Sequence, residues 1–326
     1  MHRQKLRTGL CTLALLWCGL FSGPAYVMMA GAPPDSPAAR VDANTTGSPW
    51  TGVASVVVGG ASYSGVLVAP SFVLTAAHVA GYATPSAVQV VFNVGGDQTH
   101  VIQAQAIERY PSASFPYDDL TLIRLVSAVP PGIRMYPVWR EAVPPGQRVT
   151  LVGYGASGNG TTGVSVGASR TVKRVGENTI DLIQTSIDSS GRSSLFYLLD
   201  FDGPTSNGVF GGPTLGNTIE TQFAGGDSGS PAFIVGAGGP WLVGINTFVG
   251  SGNGSDPNDR FGAIGGGMLL QRHEFADWID ATTGYTTVAS ALDIPMLPQW
   301  AVVLGMGALA ASAMCGIKNS ARTARG

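Results

Sequence analysis

Gly225-Gly226-Asp227-Ser228-Gly229-Ser230-Pro231 is the stretch that decides how the chain is read. Ser228 is flanked by glycines and preceded by an acid. A serine hydroxyl attacks only when something removes its proton and something receives the charge it creates. Glycines leave the turn unobstructed, so the backbone N–H groups of Gly226 and Ser228 can point to one spot and form an oxyanion hole. Removing the proton calls for a histidine held by a carboxylate.

The chain has four histidines, and His2 lies in the N-terminal signal segment. Of His78, His100 and His273, only His78 follows a strand-like run (Phe72-Val73-Leu74) through small residues, in Thr75-Ala76-Ala77-His78-Val79. A ring placed there projects while its backbone packs tightly. The carboxylate is sought at Tyr117-Asp118-Asp119-Leu120-Thr121-Leu122-Ile123-Arg124-Leu125, a strand largely apolar on both faces. Asp119 stands at its entrance, where burial demands a partner. Asp118 is the neighbouring candidate, and a turn-capping acid is the plainer role for either.

Composition sets the frame. A hydrophobic fraction of 44% with 12% charged residues supplies a core and argues against disorder. The net charge of −2 gives no reason to expect nucleic acid as a partner. The 46 glycines and 21 prolines break the apolar material into short runs, which predicts an all-β protein. Strands are expected at Val53–Val58, Gly65–Val68, Phe72–Leu74, Val88–Val94, His100–Glu108, Leu120–Leu125, Val149–Tyr154, Arg170–Val175, Thr179–Thr185, Phe233–Val235 and Trp241–Ile245. Glycine-rich loops are expected at Gly158–Gly167 and Gly203–Asn217. The proline-rich stretch from Val129 to Gly146 divides two β-rich halves, and Gln271–Ala281 has helical spacing, with Phe275, Trp278 and Ile279 on one face.

Both ends read as addresses. Arg3, Lys5 and Arg7 precede an apolar run from Leu10 to Phe21, the pattern of a secretory signal within residues 1–30, and cleavage after Ala25 or after Ala30 fits. Residues 31–52, rich in Pro, Ala, Gly, Ser and Thr, are expected to form a flexible leader or propeptide. Residues 285–326 carry an apolar run at 301–317, long enough for a transmembrane helix, followed by Lys318, Arg322 and Arg325. All three cysteines (Cys11, Cys18, Cys315) fall in these end segments, so the domain at 53–284 has no disulfide framework.

Thr-Ala-Ala-His, Asp-Leu-Thr-Leu and Gly-Asp-Ser-Gly-Ser-Pro, in the order His78, Asp119, Ser228, resemble the trypsin-like (chymotrypsin-fold, S1-type) serine peptidases. Gly153-Tyr154-Gly155, Leu242-Val243-Gly244-Ile245 and Phe275-Ala276-Asp277-Trp278-Ile279 extend the likeness over about Val53 to Ala281. The resemblance implies two packed six-stranded antiparallel β-barrels, at about 53–128 and 147–270, with a short C-terminal helix. It implies a serine endopeptidase in which Ser228 attacks the peptide carbonyl, His78 relays the proton, Asp119 orients the ring, and Gly226 and Ser228 N–H groups receive the oxyanion. The substrate is a polypeptide; neither cofactor nor metal is implied.

There are departures from the family pattern. Val79 and Ala224 stand where family members carry cysteines. Animal members pair a new Ile-Val-Gly-Gly N-terminus with the acid before the serine; Val57-Val58-Gly59-Gly60 imitates that motif but lies too near His78, and reads as an early barrel strand. Gln222 occupies the position six before Ser228 where members with basic preference carry Asp. With Thr247, Phe248 and Val249 it forms the expected substrate-binding set, pointing to an uncharged residue before the cut bond.

Asp293-Ile294-Pro295-Met296-Leu297-Pro298-Gln299-Trp300 and the helix after it resemble the IPTL-type C-terminal sorting signal of Gram-negative bacteria, with Met296 in place of the usual Thr. That likeness implies export to the cell envelope or surface, with signal peptidase and an exosortase-like enzyme as partners and at least transient anchoring in the membrane. A plain membrane anchor is the simpler alternative.

Two other functions compete. An α/β-type ester hydrolase would use Ser228, Asp259 and His273, but Ser230 replaces the last glycine of its motif and strand-like sequence follows the serine. A catalytically silent surface-binding module would have no need of all three catalytic residue types. The loop acids Asp200 and Asp202, or Asp256, Asn258 and Asp259, match no full calcium pattern and read as solvated.

Overall fold

A computed structural model describes residues 28–204, 208–211, 214–236, 238–252 and 259–285. The expected signal helix and the C-terminal sorting segment with its transmembrane helix lie outside the described residues. Among the described residues no helix is long and apolar enough to cross a membrane.

The first half is a closed barrel of six antiparallel strands: β1 (Val53–Val58), β2 (Ala61–Ala69), β3 (Phe72–Thr75), β4 (Val88–Phe92), β5 (His100–Arg109) and β6 (Thr121–Leu125), in the order β1-β2-β3-β6-β5-β4. The turn at Gly59-Gly60 sets the β1–β2 register, with Val58 opposite Ala61 and Val53 opposite Val66. Val57-Val58 is thus barrel strand. On β6 only Arg124 is exposed, lying over the Phe72 ring. Between β3 and β4 the four-residue helix α1 (Ala77–Ala80) carries His78.

The second half contains β7 (Arg148–Gly153), β8 (Ser157–Asn159), β9 (Gly163–Val166), β10 (Arg174–Thr179), β11 (Leu182–Ile187), β12 (Ser193–Asp200), β13 (Pro231–Gly236), β14 (Gly239–Ser251) and β15 (Ala263–Leu269), followed by α2 (His273–Thr283). The second six-stranded barrel gives way here to a seven-stranded sheet, β10-β7-β13-β14-β15-β12-β11, beside a β8–β9 hairpin. The sheet's two edges, β10 and β11, are consecutive in the chain, joined through Ile180 and Asp181. The two edges do not pair with each other, and the end of β10 is tied instead by a side chain to the end of β12 and to the loop before the serine. The buried Asn178 amide donates to Asp200 O (2.8 Å) and Thr221 O (2.7 Å). The strand expected at Arg170–Val175 starts only at Arg174, and the glycine-rich loop at Gly158–Gly167 holds the hairpin.

Residues 31–52, expected to be flexible, are packed instead. Arg40 pairs with Asp35 and donates to Ile219 O (2.8 Å), and the buried Lys173 ammonium donates to Trp50 O (2.9 Å) and pairs with Asp42 (3.3 Å); Met28, Met29 and Ala30, at the end of the expected signal, are fully buried as well. These polar anchors escape a reading based on apolar periodicity.

The connector is stitched to both halves. Tyr136 N donates to Leu67 O (3.0 Å) of β2, Leu242 N of β14 donates to Pro137 O (2.9 Å), and Trp139 N donates to Leu242 O (2.8 Å). Farther on, Arg140 bridges to Asp277 and Asp280 on α2. Phe275 and Ile279 of α2 are buried and Trp278 packs beside them, in one apolar core that also holds the first barrel's Val, Leu and Ile residues.

The β10–β11 corner is also where acids gather. Burial pushes the Asp181 carboxyl up to about 7, with Asp200, Asp202 and Glu220 adding to the effect, although its oxygen accepts from Asp200 N (3.0 Å). A carboxyl raised in the folded state makes folding bind extra protons. Its contribution is fully present below the unfolded value of 3.8 and is lost as pH rises through about 7. Asp181→Asn keeps an acceptor for Asp200 N–H; it should leave stability nearly unchanged at pH 3 and raise it by about 1–2 kcal/mol at pH 8, in urea titrations at the two pH values. Asn178→Ala should cost roughly 2–4 kcal/mol at either pH, because two buried carbonyls lose their donor.

Candidate active site

Ala76 and Ala77 are buried and bring the chain at α1 close against β6, where Ala77 N donates to Asp119 O (3.1 Å). That approach delivers His78 to Asp119 twice. The His78 backbone N–H donates to Asp119 Oδ1 (2.8 Å), and ring Nδ1 lies 2.6 Å from Asp119 Oδ2. Asp119 is fully buried, while 25% of the His78 side chain remains accessible. A buried carboxylate with these two partners fixes both the ring's orientation and the tautomer with a proton on Nδ1, leaving Nε2 as acceptor. The exposed Phe115 ring stands edge-on to the imidazole, 5.0 Å between centroids.

Ser228 arrives from the other half, between Gly226 (φ 91°) and Gly229 (φ 81°), both in the region that favours glycine. A side chain at Gly229 would strike Thr75 Oγ1 and crowd Ser64 O and Ala76 N. The serine loop therefore sits directly on the strand end that leads to His78. Ser64 on β2 anchors it further: its N–H donates to Ser228 O (3.2 Å), its hydroxyl donates to Gly226 O (3.2 Å), and its carbonyl accepts from Thr75 Oγ1 (2.8 Å). From behind, Asn246 on β14 accepts from Gly229 N (2.8 Å), donates its own N–H to Ser230 O (2.8 Å) and its amide to Ser230 Oγ (2.6 Å). Ser228 itself is half-buried. Among the described residues no hydrogen bond joins its hydroxyl to His78, and neither the Gly226 nor the Ser228 N–H meets an acceptor.

Sequence reading missed Ser64, Thr75 and Asn246. Their signal is faint: small polar residues in apolar strands, at positions that must be satisfied when buried.

Asp227 points away from Ser228 into the second half. It accepts from Gly155 N (3.2 Å) and Ala224 N (3.3 Å), and burial pushes its carboxyl up to about 7, against these bonds, the nearby Arg174 and the lowering influence of the Met28 backbone N–H. The early chain approaches it at Met28. Beside it, Met29 N donates to Gln222 O (2.6 Å) and Ser157 Oγ donates to Met28 O (2.7 Å).

Gln222 is fully buried, and among the described residues neither its side-chain oxygen nor its nitrogen has a hydrogen-bond partner. It lies against Gly265, the register partner of Val249; Phe248 faces Gly266, and buried Thr247 occupies the bulge between Asn246 and Phe248. The structure therefore groups Gln222, Phe248 and Val249 about β15. His273 opens α2, and Asp259 accepts from Val164 N (2.9 Å), so these two belong to other parts of the surface. Asp200 and Asp202 accept backbone N–H groups of their own loop, from Phe210 and Gly208, and among the described residues no cluster of ligands suits a metal ion.

A search of curated proteins finds no match. Among solved structures, one described as HL collagenase aligns over 72% of this chain and 94% of its own, at 17% identity and a TM-score of 0.48. The family profile described as Trypsin matches residues 40–279, most of the chain. That span takes in His78, Asp119, Ser228 and every strand of both halves, and the chain belongs to the trypsin family.

Proposed function

We propose that the protein is a serine endopeptidase in which Ser228, His78 and Asp119 form the catalytic triad. The observation that carries the reading is the 2.6 Å bond between His78 Nδ1 and buried Asp119, with the Ser228 loop seated on the same strand end. His78 Nε2 takes the Ser228 proton as Oγ adds to the peptide carbonyl, then returns it to the leaving amine. Asp119 keeps the Nδ1 proton in place and stabilises the imidazolium. The free N–H groups of Gly226 and Ser228 receive the oxyanion, each contributing about 3 kcal/mol to the transition state. Gln222 brings no charge to the substrate-binding group with Thr247, Phe248 and Val249, which favours an uncharged residue before the cut bond.

The reading extends to maturation. The secretory signal directs export, and the IPTL-like tail directs sorting to the envelope or surface, with signal peptidase and an exosortase-like enzyme as processing partners. Cleavage after Ala30 would remove Met28 to Ala30, all fully buried, whereas cleavage after Ala25 spares them. Cleavage after Ala25 followed by trimming of Tyr26 and Val27 would put an α-amino group at Met28, facing Asp227 in a buried site, where an opposite charge offsets the carboxylate's desolvation. This assigns to Met28 the role that the resemblance gives to a new N-terminus.

A fluorophosphonate probe should label the purified protein at Ser228, and mass spectrometry of the labelled chain should place its first residue between Tyr26 and Met28. An unlabelled Ser228 would favour the silent binding module. Ser228→Ala and His78→Ala should each lower kcat on a casein substrate by about 10⁴–10⁶-fold, with melting temperatures close to the parent. Activity that survives His78→Ala and is lost in His273→Ala would point to the ester hydrolase arrangement.

A further inference from the structure

Asp118, the neighbour that competes with Asp119 in the sequence, has its own set of partners. Its φ of 46° is in the left-handed region, uncommon for a residue other than glycine. The turn sends the two adjacent carboxylates to different places. Asp119 meets His78. Asp118 accepts from Ser112 Oγ (2.5 Å), Ser194 Oγ (2.7 Å) and Arg272 Nη1 (3.4 Å), and its own N–H donates to Ser194 Oγ (3.0 Å).

Ser194 belongs to β12 and Arg272 immediately precedes α2, so these bonds cross from the first barrel to the second half. Ser194 is fully buried and Asp118 nearly so. The Ser194 hydroxyl gives and receives one bond with the same residue, closing a ring that holds both the Asp118 backbone and its side chain. Arg272 is fixed in turn by Ser193 O (2.7 Å) and by the Phe275 ring beneath it. One peptide bond away, Asp119 O accepts from Ala77 N and Asp119 Oδ1 from His78 N. The Ser112 bond also ties down the loop that presents Phe115 to the imidazole.

We infer that Asp118 and Ser194 form a clasp across the two halves that positions Asp119 against His78. The inference rests on the peptidase reading for its consequence in rate, and on the geometry alone for its consequence at the imidazole. Asp118 and Ser194 are positioning residues: neither touches Ser228 nor the reacting bond. A misplacement of a catalytic group by a fraction of an ångström lowers the rate of the folded enzyme, whereas a clasp of purely structural importance lowers only the amount that is folded.

The test compares the mature parent protein with Ser194→Ala, Ser194→Thr and Ser228→Ala. A fluorophosphonate probe gives two separate quantities, the rate constant for labelling and the final labelled fraction. Ser194→Ala should slow labelling about 10- to 100-fold with the final fraction near that of the parent, and Ser194→Thr, which keeps the hydroxyl, should restore the rate. The proton on His78 Nδ1, observed by NMR, should shift in Ser194→Ala and return in Ser194→Thr. Labelling of Ser194→Ala at the parent rate, or a loss confined to the labelled fraction, would overturn the inference. If Ser194→Ala does not fold, Arg272→Gln, at the partly exposed end of the clasp, should slow labelling in the same direction, and a parent rate there would overturn it too. If the parent is not labelled above Ser228→Ala, the peptidase reading fails by itself. The clasp then stands or falls on the Nδ1 proton, whose unchanged position in Ser194→Ala would overturn it.

Discussion

The site depends on the seating of the Ser228 loop against β2 and β3. Van der Waals contact at Gly229 leaves no room for a side chain, and Ser64 supplies two donors to the loop while its carbonyl holds Thr75 on the strand below. Such bonds contribute about 1 kcal/mol each, but leaving one of these buried groups unpaired costs more. The seating is therefore specific: a shift of the second half along the first by one residue would orphan the Ser64 N–H and hydroxyl together with Ser228 O and Gly226 O. The two halves meet in an apolar cluster that takes residues from both, so they gain their affinity from burial and their alignment from this small polar set.

Much of the arrangement can be read from the chain because its determinants are local. His78 lies after alanines small enough to let the backbone approach β6, and Asp119 stands before a strand apolar on both faces. The glycines around Ser228 announce a turn that other residues would resist. Each is visible in a window of a few residues, and the family likeness rests on those windows. The strand pattern of the first barrel is legible for the same reason: Val, Leu and Ile alternate or run together between glycine and proline breaks.

What could not be read depends on residues far apart in the chain. The Asn178 bonds to Asp200 O and Thr221 O join residues 22 and 43 positions apart, and no local pattern says so. The packing of residues 31–52 comes from Arg40, Lys173 and Asp42, whose partners lie more than a hundred residues away or across a turn. A stretch rich in proline, alanine and glycine looks mobile until its few charged residues are given addresses. The division of labour between Asp118 and Asp119 likewise turns on one left-handed residue and on Ser194, 76 positions downstream.

The connector between the halves has a consequence of its own. Because Tyr136 is bonded to β2, and Pro137 and Trp139 to β14, the link is fastened at several points along its length rather than only at its ends. Cutting the chain in the exposed turn near Gly146 would leave most of this strap attached to the first barrel, still offering Pro137 O and Trp139 N to Leu242. The two pieces would keep a template for one another, so a nicked molecule would hold together, and separately made fragments divided there would carry the means to find each other and reassemble.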